Sequence, residues 1–267
     1  MATVSSSGAV ISYEVHGAVG APPLLFLNSI GSTRAMWDRQ RRALADAYRV
    51  IQYDARGHGQ SSVPPGPYTL AQLAGDARAI LDAEQVAAAH VCGLSLGGIT
   101  ALGLTLGAPE RVRTLTMANT GARIGSVESW DARIALVRER GMTAVADAAI
   151  PNWFTEGFRR REPEVVQAFR AAIETTAVDG YRGCCAAMRD EDFRDSVDRV
   201  RCPVLAIAGA FDRSTPPELL HFVHERLPGS RFVILDAAHI SNVEEEAAFN
   251  ATLSGFLSAH SSRDRVI

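Results

Sequence analysis

Lysine is absent from this chain: all 27 basic residues among its 267 are arginine. We read that as the bias of a GC-rich genome rather than as function. It also removes the Lys-Ser/Thr pair of a phosphate-binding P-loop. The glycine-rich stretch Asp54-Ala55-Arg56-Gly57-His58-Gly59-Gln60-Ser61 is therefore no nucleotide cradle, and it lacks the three-glycine spacing of a dinucleotide site as well. Positive charge is in short supply. Thirty acidic residues outnumber the arginines and leave a net charge of −3, which excludes the basic footprint that nucleic acid requires. Cysteine is scarce: Cys92, Cys184, Cys185 and Cys202 show no metal-ligand spacing. The adjacent pair is unsuited to bonding to itself, and such free thiols fit a reducing cytosol. No apolar run reaches membrane-spanning length. The opening Met-Ala-Thr-Val-Ser-Ser-Ser-Gly lacks the basic and then apolar segments of a signal peptide. The expectation is a cytoplasmic protein with neither a nucleic-acid nor a membrane partner.

What is there reads as one large α/β domain with an insertion. Hydrophobic residues make up 47% and charged residues 21%, the balance of a globular protein with a two-sided core. Val10 to Val15 reads as an edge strand after a turn at Ser5 to Gly8. Leu24-Leu25-Phe26-Leu27 is a continuous apolar run, as in a strand buried on both faces. Ser32 or Thr33 can cap a helix that carries Trp37, Leu44 and Ala47 inward. Further strands are expected at 48–53, 87–92, 112–118, 204–209 and 231–235, with helices at 70–84, 99–108, 217–227 and 244–259. From about Gly121 to Ser196 no strand-like run occurs, only helical patches at 129–140, 143–149, 163–176 and 180–189. The expected organisation is a core of residues 1–120 and 197–267 around a helical cap insertion, 121–196. Strands that alternate with helices imply a mostly parallel central sheet with helices on both faces.

One stretch organises the rest. Gly93-Leu94-Ser95-Leu96-Gly97-Gly98 stands between a predicted strand and a predicted helix, the pattern of a nucleophile elbow. The turn is so tight that small residues are needed on either side of the serine, and Gly93 and Gly97 fill those places. With 22 glycines in the chain, a Gly-x-Ser-x-Gly arises by chance in roughly one such chain in ten, so context must carry the reading. A serine hydroxyl needs a base, and the base an orienting acid. In this pattern both follow the serine on loops after later strands, acid first. Of the seven histidines only His239 lies in a loop between a late strand and a helix. Asp212 is the one carboxylate between the strand 204–208 and the helix at Pro217. Two backbone N–H groups must hold the oxyanion: that of Leu96, beside the nucleophile, and that of Ile30, in the loop after Leu27.

The sequence resembles the α/β-hydrolase family over essentially its full length, and within it the 3-oxoadipate enol-lactonases. The motifs that carry the closer resemblance are Asn28-Ser29-Ile30-Gly31, where many relatives have His-Gly, together with Tyr53-Asp54-Ala55-Arg56-Gly57-His58-Gly59 and the elbow. Within the insertion they are Ala122-Arg123-Ile124-Gly125, Trp130, Trp153-Phe154-Thr155 and Gly180-Tyr181-Arg182-Gly183-Cys184-Cys185. Asp236 to Glu244 completes the set. Leu96 stands where methionine is common, a near-isosteric change. The resemblance implies an α/β-hydrolase fold and hydrolysis of a small-molecule lactone, 3-oxoadipate enol-lactone, with no metal or organic cofactor. Such a substrate carries a carboxylate, for which a guanidinium is the natural fork. Arg123 and Arg133 are the candidates for it, and Trp130 for an apolar wall. The same triad would also serve a general carboxylesterase, a cofactor-free perhydrolase or a C–C bond hydrolase. A non-catalytic receptor can keep the triad too. Dehalogenases and epoxide hydrolases would place aspartate at position 95.

Overall fold

The computed structural model describes residues 1–261. Among these, eight strands form one sheet in the order β1-β2-β4-β3-β5-β6-β7-β8. They are β1 (Ala2–Ser6), β2 (Ala9–His16), β3 (Pro23–Leu27), β4 (Arg49–Tyr53), β5 (Ala89–Leu94), β6 (Val112–Ala118), β7 (Val204–Gly209) and β8 (Arg231–Leu235). β1 and β2 form an antiparallel hairpin, and β2 pairs antiparallel with β4. Every pairing from β4 through β8 is parallel. This is the α/β-hydrolase architecture. β1 is a strand that the sequence does not advertise, being short, polar and mostly exposed. Its turn closes on Ser7 and Gly8, both at positive φ, as a two-residue hairpin requires.

The apolar strand runs divide their side chains between two cores with the period of two that a pleated strand imposes. Leu24 and Phe26 of β3 join the core on one face, and Leu25 and Leu27 the other. Leu205 and Ile207 of β7 and Ala206 and Ala208 divide in the same way. Helices cover both faces. On the first lie α1 (Asp38–Leu44) and α10 (Glu246–Ser261), which contribute Leu44, Phe249, Leu253 and Phe256. On the second lie α2 (Leu70–Ala83), α3 (Leu96–Gly107) and α8 (Pro217–Arg226), through residues such as Ile80, Leu102 and Leu220. The helix expected after Ser32 or Thr33 opens as a 3₁₀ turn at Arg34–Trp37 and ends at Leu44, leaving Ala47 outside. Thr33 makes no side-chain cap, and the Ser32 hydroxyl donates to the Ser29 carbonyl instead.

Between β6 and β7 the chain forms helices only: α4 (Val127–Trp153), α5 (Glu156–Arg161), α6 (Pro163–Thr175) and α7 (Val178–Arg189). α4 spans the two patches read separately at 129–140 and 143–149. They meet at Gly141, whose φ of 71° and ψ of −175° break the helical path. α7 sits directly on the loop after β4. A Cβ on Gly57 would stand 2.4 Å from the Gly180 Cα, and one on Gly183 2.6 Å from the Tyr68 ring. Glycine is what permits this backbone-to-backbone approach. No helix among the described residues is long and apolar enough to cross a membrane.

Candidate active site

β5 ends at Leu94 and α3 begins at Leu96, so Ser95 is the entire connection. Its φ of 57° and ψ of −117° lie outside the regions that L-residues favour. Such strain persists only where the surroundings enforce it, and here they do. The Ser95 N–H donates to the Ala118 carbonyl at 3.0 Å, and the Thr120 hydroxyl donates to the Ser95 carbonyl at 2.8 Å. The flanking glycines are obligatory on steric grounds. A Cβ on Gly93 would lie 2.1 Å from the Gly97 carbonyl oxygen, and one on Gly97 2.1 Å from that of Leu27.

Asp212 and His239, each just beyond the end of its strand, meet at the same sheet edge. The Asp212 Oδ2–His239 Nδ1 distance is 2.8 Å, and both side chains are buried. The carboxylate is held on every side. Its Oδ1 accepts from the N–H groups of Ser214 (2.8 Å) and Thr215 (2.9 Å). Its Oδ2 accepts from the Thr215 hydroxyl (2.6 Å) and the Asn119 amide (3.0 Å). Burial by itself pushes the Asp212 carboxyl up, but the adjoining His239 and the Thr215 donors outweigh it and hold it below the usual carboxylate range. An ionised Asp212 fixes the Nδ1–H tautomer of His239 and leaves Nε2 as the free base. Asn119 and Thr215 have no motif in the sequence. Asn119 follows β6 at a positive φ of 44°, a conformation that asparagine tolerates better than most residues, and from there it reaches both Asp212 and the Ala238 carbonyl.

Ile30 lines the same cavity as Ser95, and Leu96 follows the serine directly in the chain. Leu96 opens α3, where the N–H groups of Gly98 and Ile99 both turn to the Ser95 carbonyl. No protein acceptor among the described residues takes the N–H of Leu96 or Ile30. The loop that carries Ile30 is fixed from behind by His58. Its Nε2 accepts the Gly31 N–H at 2.9 Å, and its Nδ1 lies 3.1 Å from the Arg56 carbonyl. Burial lowers the His58 pKa, which keeps the ring neutral and Nε2 an acceptor. Arg56 is itself locked to Asp76 by a buried bidentate pair at 2.6 and 2.7 Å.

Ser95 and His239 open into a cavity of about 330 Å³. Its opposite wall comes from α4 and α7, with Trp130, Arg133, Trp153, Tyr181 and Met188 among the lining side chains. Trp130 donates its indole N–H to the Ile124 carbonyl at 2.6 Å. Trp153 lies tilted against the His239 ring, centroids 6.1 Å apart. Arg133 projects into the cavity and donates to the Tyr181 hydroxyl at 3.0 Å. Among the described residues no carboxylate pairs with Arg133, and none lines the cavity. Arg123, the other candidate, is ion-paired to Asp192 at 2.7 Å and does not line the cavity. Arg213, which sequence reasoning did not single out, lines it from an exposed position beside Asp212. Among the described residues no group of three or more His, Cys, Asp or Glu is arranged to hold a metal.

Comparison with known proteins agrees with this fold. Residues 22–246 match the family model described as the alpha/beta hydrolase fold. The 3-oxoadipate enol-lactonase 2 of Acinetobacter baylyi is 41% identical over 248 residues, 93% of each chain. The crystal structure of the enol-lactonase from Burkholderia xenovorans LB400 superposes with a TM-score of 0.94 at 38% identity, covering 96% of this chain and 100% of that one. A protein of Azorhizobium caulinodans named "putative carbamate hydrolase RutD" is 32% identical over 91% of this chain and 93% of its own.

Proposed function

Because this chain belongs to the α/β-hydrolase fold family, we propose that it is a serine hydrolase of small carboxylate-bearing lactones, and that its substrate is 3-oxoadipate enol-lactone, opened to 3-oxoadipate. The observation that carries the substrate class is Arg133. A partly buried guanidinium that has no acidic partner among the described residues and faces the candidate nucleophile's cavity is suited to a ligand that supplies the anion. Tyr181 supports the same reading. Burial holds its phenol above its ordinary range, so it stays protonated. Its oxygen accepts from Arg133 and its O–H remains a donor for a carboxylate. The enol-lactonase relatives point to the same chemistry.

In this reading Ser95 attacks the lactone carbonyl while His239 Nε2 takes its proton, the imidazolium being stabilised by Asp212. The oxyanion sits between the Ile30 and Leu96 N–H groups, each such donor being worth about 3 kcal/mol in the transition state. Collapse breaks the ring C–O bond. The enolate leaves and takes up the proton that His239 holds, directly or through solvent, which restores the imidazole as a base while the acyl group stays on Ser95. Water, deprotonated by His239, then attacks the acyl-enzyme and releases the second carboxylate. Residues 121–196 act as the cap that selects the acid, and the core supplies the chemistry. The RutD similarity favours a second reading, hydrolysis of a carbamate by the same triad.

The test is turnover of enzymatically generated 3-oxoadipate enol-lactone, followed by loss of ultraviolet absorbance, beside a carbamate and a neutral p-nitrophenyl ester. A kcat/KM near 10⁵ M⁻¹s⁻¹ or above on the lactone alone, about ordinary for an enzyme on its own substrate, supports the proposal. Lactonase activity that survives Ser95→Ala overturns the mechanism. Faster turnover of the carbamate or the neutral ester overturns the substrate.

A further inference from the structure

We propose that Glu244 is a positioning residue that makes the candidate base, His239, depend on the docking of the helices above it. The inference rests on the serine-hydrolase reading and adds to it a residue remote from the substrate.

Glu244 is the last residue of α9 (Ser241–Glu244), five positions after His239, and is only 7% exposed. Its carboxylate joins two parts of the chain far apart in sequence. Oε2 accepts the N–H of Ala238, the residue before His239, at 2.9 Å. Oε1 accepts the N–H of Thr155 at 3.1 Å and also the Thr155 hydroxyl. Thr155 is the N-cap of α5 and follows directly on α4 and Phe154. On the far side of His239 the Ile240 N–H donates to the Trp153 carbonyl at 3.1 Å. The peptide groups on both sides of His239 are thus tied to residues 153–155, one directly and one through Glu244. The Trp153 ring also lies against the imidazole.

The chemistry of the site favours a carboxylate for a reason that filling space does not. Three donors converge on Glu244, from Ala238 N–H, Thr155 N–H and Thr155 Oγ–H. Among the described residues no cation pairs with it, so neutral donors alone satisfy a buried carboxylate, which would otherwise be costly. An ionised carboxylate only accepts hydrogen bonds, whereas glutamine of the same shape must turn an NH₂ towards one of these donors. Misplacing a reacting group by about 1 Å can cost about 10²-fold in rate. A His239 loop held at both flanks by residues 153–155 is in place only while the end of α4 is in place.

The experiment compares wild type, Glu244→Gln, Thr155→Val and the double variant. It measures kcat and KM on the enol-lactone, the rate at which a fluorophosphonate labels Ser95, and Tm. In Glu244→Gln we expect kcat and the labelling rate to fall together by at least about tenfold, with KM within about twofold. Thr155→Val keeps its N–H and shows a smaller loss in the same two quantities, and the double variant is no slower than Glu244→Gln alone. A folded Glu244→Gln enzyme with wild-type kcat and labelling rate overturns the proposal. So does a rise in KM with kcat unchanged, or a double variant whose losses multiply. If Glu244→Gln does not fold, Thr155→Val decides, and wild-type labelling in that variant overturns the proposal. Failure of the wild-type protein to label at all refutes the serine-hydrolase reading itself, and the proposal with it.

Discussion

Replacing Arg133 by alanine separates the recognition of an anionic substrate from the chemistry at Ser95. Arg133 donates one N–H to Tyr181 and has further donors in the cavity. A net hydrogen bond to a charged group is worth about 1.5–3 kcal/mol, and a two-pronged contact with a carboxylate belongs in the upper half of that range. A loss of about 2–3 kcal/mol corresponds to a fall of roughly 30- to 140-fold in kcat/KM on the enol-lactone, at about 1.4 kcal/mol per tenfold. Most of it should appear in KM, because the carboxylate is held equally in ground and transition states. The assay is initial-rate kinetics on the lactone and on neutral p-nitrophenyl acetate at one ionic strength. The neutral ester has nothing for Arg133 to grip and should lose less than about threefold, the equivalent of under 1 kcal/mol. Tyr181 loses a partner at the same time, so Tm should fall by a few degrees, in line with about 1 kcal/mol. Equal losses on both substrates would refute the reasoning and reduce Arg133 to a support for Tyr181. Unchanged lactone kinetics would move the carboxylate elsewhere, with Arg213 the other guanidinium in the lining.

Two further outcomes follow from the buried titratable groups. Asp212→Asn should lower kcat about 10³- to 10⁴-fold through loss of the correct His239 tautomer. Because the folded-state carboxyl is held low, its stabilising effect is present above the ordinary carboxylate pKa of about 4 and is lost as pH falls through the folded value. The Tm gap between wild type and Asp212→Asn should therefore be open at pH 7 and close below about pH 4, and a gap that persists unchanged to pH 3 would count against it. His58 has the opposite chemistry and the same sign of slope. Its folded pKa is lowered, so between about pH 6.5 and that value the unfolded chain binds the proton and the folded chain does not, and stability is lost as the pH falls, by at most about 1.4 kcal/mol per unit. His58→Gln, which does not titrate, should flatten Tm against pH between 7 and 5, and parallel curves would remove His58 as the cause.

Continuous apolar runs made the central strands readable. β6 and β8 span the residues their hydrophobic pattern predicts: β6 is buried between β5 and β7, and β8, though a half-exposed edge strand, keeps a compact apolar run against β7. β1 was not readable, since a polar hairpin edge depends on its pairing with β2 more than on its own side chains. α5 was equally silent: Glu156–Arg161 is short and arginine-rich, and it is placed by its cap and by Phe158 rather than by a periodic apolar face. At the site, Ser95, Asp212 and His239 could be proposed because each stands at a strand end, where the chain order of the fold is itself a signal. Asn119, Thr215 and Glu244 could not, because their work consists of hydrogen bonds to residues whose nearness only folding creates. Nor could sequence tell Arg133 from Arg123. Both are arginines near the start of a helical stretch, and only the fold gives one an aspartate and leaves the other facing the cavity.

The touching glycines beneath α7 bear on how such an enzyme changes its diet. Gly57 and Gly180 meet with no side chain between them, and a methyl on Gly180 would reach within 2.3 Å of the Gly57 carbonyl oxygen. Tyr181, which carries the hydroxyl that steadies Arg133, is the very next residue. The helix that carries Tyr181 thus rests on the core at a contact outside the cavity lining. A lineage adapting to bulkier substrates need not alter any residue of the lining: a single carbon slipped between loop and helix would act as a shim beneath α7, displacing Tyr181 while every lining residue stays the same.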